Sequence, residues 1–196
     1  MLAVSVQPEA SALTARGAGA RAEAASFESL YDAHVDRVFR MLRSIGVPEA
    51  SLEDAVQDVF VTAFRRLDSF EGRSSLSTWL CGIATQTARN YRRHARRHPE
   101  TPTEGAGEDA PTSAPSPERE LESSEAVRIL HALLDELDED KREVFVLVEL
   151  EQIPVPEIAR MLEQNLNTVY ARVRAARAAF EQGVARHKAR DGWRLR

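Results

Sequence analysis

The chain has 196 residues, a formal net charge of −5 and a single cysteine, Cys81. That length holds one or two small domains with real cores, and one cysteine excludes an internal disulfide framework and fits a reducing cytoplasm. No apolar run approaches the roughly 20 residues needed to span a bilayer, and the opening MLAVSVQPEA lacks the basic-then-apolar order of a secretory signal.

The net charge hides an asymmetry. Residues 73–97 carry six arginines and no acidic side chain, and residues 158–196 are basic again. Between them, residues 98–157 are strongly acidic. Two basic blocks around an acidic middle suggest two nucleic-acid contacts, with an acidic segment that mimics nucleic acid or meets a basic partner.

Residues 1–25 are rich in Ala, Gly, Ser and Glu without periodicity, and are expected to be a disordered leader. From Phe27, the apolar residues Leu30, Tyr31, Val35, Val38, Leu42 and Ile45 recur at helical spacing, with Gly46 and Pro48 ending the helix. Ser51 opens a second helix in a capping-box-like S-L-E-D. Its stripe is Leu52, Ala55, Val56, Val59, Phe60, Ala63, Phe64 and Leu67, and its opposite face carries Glu53, Asp54, Gln57, Asp58 and Arg65. Residues 68–76 form a loop with Phe70 beside Gly72. A third helix follows from about Ser75 to Arg97, packing on Leu76, Trp79, Leu80, Ile83, Ala84, Ala88 and Tyr91. On another face Arg89, Arg92, Arg93 and Arg96 form a basic stripe. With Phe70, Trp79 and Tyr91 nearby, it has the charge and aromatics of a single-stranded nucleic-acid groove; the plainer role for Trp79 and Tyr91 is core.

Residues 98–119, rich in Pro, Gly, Ser, Thr and acids, predict a flexible linker. A second bundle spans 120–185. Ala126, Ile129, Leu130, Leu133, Leu134 and Leu137 make one stripe, and Asp138 caps a helix bearing Val144, Phe145, Leu147 and Val148. Ile153–Phe180 then predicts two helices joined by a tight turn. Ile158, Ala159 and Leu162 face inward from the first; Leu166, Val169, Val173, Ala176 and Phe180 face inward from the second. Pro156 fits a first helical turn, and Asn165 or Asn167 caps the second helix. The left-handed residue of the turn falls on Glu163, where glycine is usual. The pattern is that of a helix-turn-helix, whose second helix enters the major groove; an ordinary helical hairpin with a basic solvated face is the plainer alternative. Asn167, Thr168, Tyr170, Ala171, Arg172, Arg174 and Arg177 lie off the apolar stripe, and arginine suits bidentate guanine reading and phosphate contact. The tail, residues 186–196, is basic and expected to fray.

Nothing in the chain predicts an enzyme, a metal or a cofactor. His94 and His98 sit four apart, but their neighbours are arginines, and a solvent-facing pair fits better than a metal pair. No Gly-rich phosphate loop, nucleophile elbow or HExxH occurs.

With both halves read, residues 27–97 and 120–183 resemble the extracytoplasmic-function (ECF) class of bacterial RNA polymerase sigma factors. The likeness rests on Phe27-Glu28-Ser29-Leu30-Tyr31 and on Glu53-Asp54-Ala55-Val56-Gln57-Asp58-Val59-Phe60. It continues in Phe70-Glu71-Gly72, Ser77-Thr78-Trp79-Leu80 and Ile83-Ala84, then Glu157-Ile158-Ala159 and Thr168-Val169. Departures are Gln86 and Asn90, where Asn and Asp are frequent in the class, Glu163 for the turn glycine, and Tyr170 for a usual lysine.

The resemblance implies an all-α chain: a region 2-like domain over 26–97 and a region 4-like domain with the helix-turn-helix over 120–185. It implies core-polymerase binding through Asp54, Gln57, Asp58 and Phe60, on the clamp helices of the largest subunit, with a further contact at the flap. Phe70, Gly72, Arg73, Ser74, Gln86, Arg89, Asn90 and Arg93 would capture and melt the −10 element, and the residues of the second helix would read the −35 element. The acidic linker would lie in the RNA exit path. Implied partners are core RNA polymerase, promoter DNA and an anti-sigma factor that holds the chain inactive, with the free chain monomeric, cytoplasmic, and at the nucleoid when in holoenzyme. The alternatives are a sigma-like regulator that binds DNA without recruiting polymerase and a helical interaction scaffold with no nucleic-acid role.

Overall fold

The computed structural model describes residues 10–72, 74–97 and 125–194. Among these it is all-α, with seven helices: α1 (Ala10–Ile45), α2 (Leu52–Arg66), α3 (Leu76–Arg97), α4 (Glu125–Asp135), α5 (Glu139–Phe145), α6 (Val155–Met161) and α7 (Leu166–Arg194). A π-helical turn, Val146–Leu150, extends α5. The predicted linker, 98–119, lies outside the described residues. The chain divides into two compact units whose boundary falls within α1, between Val35 and Asp36.

Helix α1 begins upstream of Phe27, inside the segment expected to be a disordered leader. The physical reason is local: alanine is the strongest helix former, and the stretch after Ala10 is rich in it. The helix stops where expected. Gly46 takes φ +100 and gives its N–H to the carbonyls of Leu42 and Arg43, a left-handed stop that glycine adopts without strain. Ser51 precedes α2 but makes no side-chain cap bond, so the capping box expected there is absent; a short 3-10 turn, Glu49–Ser51, leads into the helix instead.

In the second unit, α2 packs along α3. Leu52, Ala55, Val59, Phe60 and Ala63 meet Leu80, Ile83, Ala84 and Ala88 in a buried layer. Phe64 departs from its predicted place in the stripe and is 56% exposed. Further along, α5 and α6 pack against α7, with Leu134, Val144, Val146, Leu147, Ile158, Val169 and Ala176 fully or almost fully buried. Phe145 stacks on Phe180 at a centroid distance of 4.4 Å. Leu166, expected in this layer, is exposed at the first position of α7. Helix α7 runs past Gly183 to Arg194, where a fraying tail was expected; the salt bridge from Arg186 to Glu136, at 2.5 Å, ties that part of it back.

Candidate nucleic-acid interface

The helix-turn-helix is built by α6, a turn and the start of α7. Pro156 sits in the first turn of α6, where a missing N–H costs no helical bond. Ile158, Ala159 and Leu162 are buried. The chain then reverses at Glu163, with φ +54, and Gln164 N–H donates to the Ala159 carbonyl at 2.9 Å. Asn165 supplies the cap, its Oδ1 accepting from Asn167 N–H at 2.9 Å. A glutamate in the left-handed region pays about 1 kcal/mol of steric strain that glycine avoids. Glu163→Gly is therefore expected to raise the melting temperature by a few degrees, read by circular dichroism.

Val169, Val173 and Ala176 anchor α7 inward. Asn167, Thr168, Tyr170, Ala171, Arg174 and Arg177 are exposed. Arg172 is half-buried and held on both sides: it donates to Gln164 Oε1 at 2.9 Å and pairs with Asp140 Oδ2 at 3.0 Å. Arg177 donates from Nε to Glu149 Oε1 at 2.7 Å. Apart from Arg172, the predicted set thus faces outward at the start of a well-anchored helix.

The N-terminal site residues gather around the start and outer face of α3. Ser75 Oγ accepts from Thr78 N–H at 3.0 Å and caps that helix. Phe70 is half-buried against Trp79, with ring centroids 5.3 Å apart and planes tilted by 49°. Gly72 has φ +68. Arg73 lies outside the described residues; Ser74 is half-buried beside it. A cleft of about 420 Å³ opens here, lined by Arg66, Ser74, Trp79, Gln86 and Met161 among others; that volume accommodates a small ligand such as a nucleobase. Gln86 and Asn90 are exposed a turn apart, Gln86 Nε2 donating to Asn90 Oδ1 at 3.5 Å, and Arg93 is exposed on the next turn.

The arginine stripe is not uniform. Arg92, expected beside Arg89 on an open face, is only 8% exposed. It donates to the Ile45 carbonyl at 3.0 Å and to Glu143 Oε2 at 3.2 Å. Arg89 also meets Glu143, through Nε at 3.1 Å and a second nitrogen at 2.8 Å. Glu143 itself is 2% exposed, and sequence reasoning passed over it. The available clue was its register: it lies four residues before the core residue Leu147, where an apolar side chain is the rule.

On α2, Asp54, Gln57 and Asp58 are exposed on one side. Phe60 is buried in the α2–α3 layer, so it positions this helix instead of presenting itself to a partner. Asp58 Oδ2 accepts from the Tyr91 hydroxyl at 2.8 Å. Desolvation, and then the neighbouring Asp58 carboxylate, push the Tyr91 phenol up to about 12. A folded pKa above the unfolded value makes this pair's contribution fully present below about pH 10 and lost as pH climbs toward 12. In an ultraviolet phenolate titration Tyr91 should ionise well above an ordinary tyrosine, and Asp58→Asn should bring it down. Among the described residues no cluster of His, Cys, Asp and Glu could hold a metal ion; His98 lies outside them.

The family descriptions Sigma-70 region 2 and Sigma-70, region 4 match residues 30–98 and 128–180, covering both sites. The ECF RNA polymerase sigma-E factor of Escherichia coli K12 is 34% identical over 145 residues, spanning 70% of this chain and 76% of that protein. This chain belongs to the ECF sigma factors. The sigma-E factor of Haemophilus influenzae is equally similar, 34% identical over 147 residues, with 70% of this chain and 77% of the relative covered. As a sigma factor the chain is not an enzyme: it binds core RNA polymerase and directs it to promoter DNA. Among solved structures it resembles CnrH, determined with the cytosolic domain of CnrY, at 26% identity and a TM-score of 0.59 over 85% of this chain and 94% of that one. The sigma factor RpoE of Bartonella quintana, in complex with the anti-sigma factor NepR, shares the fold at 21% identity and a TM-score of 0.62, over 82% and 97% of the two chains.

Proposed function

We propose that the three surfaces divide promoter recognition between them. The exposed residues of α7, Asn167, Thr168, Tyr170, Ala171, Arg174 and Arg177, together with the half-buried Arg172, read the −35 duplex. The Phe70–Ser74 loop with the cleft beside Trp79 takes an unstacked base of the −10 element, while Gln86, Arg89, Asn90 and Arg93 hold the strand beside it. Asp54, Gln57 and Asp58 dock the chain on core polymerase. The domain limits follow the sequence reading, 26–97 and 120–185. The protein works in the cytoplasm, where polymerase and promoters are; among the described residues no helix is long and apolar enough to cross a membrane. The two solved relatives, each held by a protein partner, support an anti-sigma factor as a further partner.

The observation that carries this reading is the split of α7, with Val169, Val173 and Ala176 buried and the polar and basic residues between them turned outward. A helix anchored in that way presents a fixed row of side chains to the major groove. The decisive experiment is in vitro transcription with purified core polymerase on a promoter library, with and without this chain. Specific initiation that depends on the chain, and that loses its −35 preference with Arg174→Ala, is the expected result. DNA binding without initiation on any template would point to a regulator that does not recruit polymerase. Loss of an arginine that contacts a base edge is expected to weaken promoter affinity about 10- to 100-fold.

A further inference from the structure

The arginines in the first turns of α7 are not equivalent. Arg172 is closed: one terminal nitrogen donates to Gln164 Oε1 at 2.9 Å and the other meets Asp140 Oδ2 at 3.0 Å. It ties α7 to α5 and to the turn before it. Arg177 is held by one edge, with Nε donating to Glu149 Oε1 at 2.7 Å, which leaves its terminal nitrogens pointing to other partners. Arg174 is exposed and, among the described residues, has no hydrogen-bond or ion-pair partner. Its whole guanidinium fork is open.

Helical geometry separates them as well. At about 100° per residue, Asn167, Ala171, Arg174 and Ala178 fall along one line, and all four are exposed. That line lies opposite Val169, Val173 and Ala176, which are buried, so it is the part of α7 that enters a groove deepest. The two alanines keep the line low and let the backbone come close to the bases. Arg172 and Arg177 stand on opposite flanks of it. On the Arg177 flank, Tyr170, Arg174 and Arg177 border a cleft of about 570 Å³, which has room for a stretch of sugar-phosphate backbone.

We propose that Asn167, Ala171 and Arg174 read the bases of the −35 element, Arg174 taking a guanine and Asn167 an adenine, while Arg177 holds a backbone phosphate and Arg172 makes no DNA contact. This rests on the assignment of α7 to the −35 duplex and narrows it. An open guanidinium fork bonds guanine O6 and N7 together, and an asparagine amide bonds adenine N6 and N7. Ala171, between them, offers only a methyl group, which suits the methyl of thymine. A guanidinium fixed to a carboxylate on one edge keeps its charge for a phosphate, a contact that positions the helix but carries no sequence information. The step from Asn167 to Arg174 covers about 10 Å of helix at about 1.5 Å per residue. At about 3.4 Å per base pair, the adenine and the guanine stand about three base pairs apart.

The test is a selection by holoenzyme, assembled from the full-length chain and core RNA polymerase, on promoter duplexes randomised over the −35 element. It is repeated with Arg174→Ala, Asn167→Ala, Arg172→Gln and Arg177→Gln, with circular dichroism recorded on each chain. Wild type is expected to enrich a guanine and an adenine at that spacing. Arg174→Ala should lose about tenfold or more of the discrimination at the guanine alone, and Asn167→Ala at the adenine alone. Arg177→Gln should weaken every duplex alike and reduce the salt slope of log affinity by about one. Arg172→Gln should leave base preference and salt slope unchanged. Should that variant lose its helical signal, Arg174→Lys decides: it keeps the charge without the fork, so guanine discrimination should fall while the salt slope holds. Guanine preference that survives Arg174→Ala or Arg174→Lys, and falls with Arg172→Gln or Arg177→Gln, would overturn the proposal and leave α7 as the −35 reader. A −35 preference that no variant changes would overturn both the proposal and the assignment of α7 beneath it.

Discussion

Alanine at Asp54, Gln57 and Asp58 together is expected to lower affinity for core RNA polymerase by about three orders of magnitude, with little change in thermal stability. The three side chains are exposed on one side of α2, while Ala55, Val56 and Val59 carry the packing of that helix. Their removal therefore leaves the core intact. Two charge-assisted hydrogen bonds and one neutral bond to a partner are together worth about 4 kcal/mol or more, and each 1.4 kcal/mol is tenfold in affinity. Fluorescence anisotropy of labelled chain titrated with core enzyme would measure this. Asp58 also accepts the Tyr91 hydroxyl, so Tyr91→Phe serves as the control: it removes that internal bond and should leave core affinity within a few-fold of wild type. A triple variant that still bound core with native affinity would move the docking surface elsewhere.

The second large effect is expected from Ile158→Ala. Ile158 is fully buried where α6 meets the rest of the helix-turn-helix, and nothing larger than a methyl group would remain there. Truncating a buried isoleucine to alanine costs about 2–5 kcal/mol, depending on how far the site collapses. In the compact unit Asp36–Arg196 that lowers the melting temperature by roughly 4–20 °C. Because α6 and its turn fix where α7 begins, promoter binding should fail at temperatures where the N-terminal helices remain folded. Calorimetry, with DNA binding followed across the same range, would show the two losses together. Unchanged melting would mean that α6 is not the brace for the second helix.

The helices were legible because their buried residues recur every three or four positions, and that recurrence survives in any packing arrangement. The stop at Gly46, the Asp138 cap accepting from Lys141 N–H and the left-handed Glu163 were legible for the same local reason. Exposure was less so. Phe64 and Leu166 belong to apolar stripes yet face solvent, because a stripe wider than its partner leaves its margins uncovered. The N-terminal extension of α1 was hidden by the absence of an amphipathic pattern, although its alanines favour a helix by themselves. Least legible was the pairing of Glu143 with Arg89 and Arg92. Periodicity identifies which residues turn inward on one helix, but it carries no information about which distant charge will meet them.

The polarity of those ion pairs has a consequence for the order in which the protein is made. Synthesis runs from the N-terminus, so the arginines of α3 leave the ribosome before any of their glutamates. Residues 73–97 carry no acid of their own, and Arg92 and Glu143 are 51 positions apart. At about 5–20 residues per second the interval is roughly 3–10 s. During that time the acidic residues that follow position 97 are translated first, so the arginines of α3 meet these as counter-charges before their native glutamates exist.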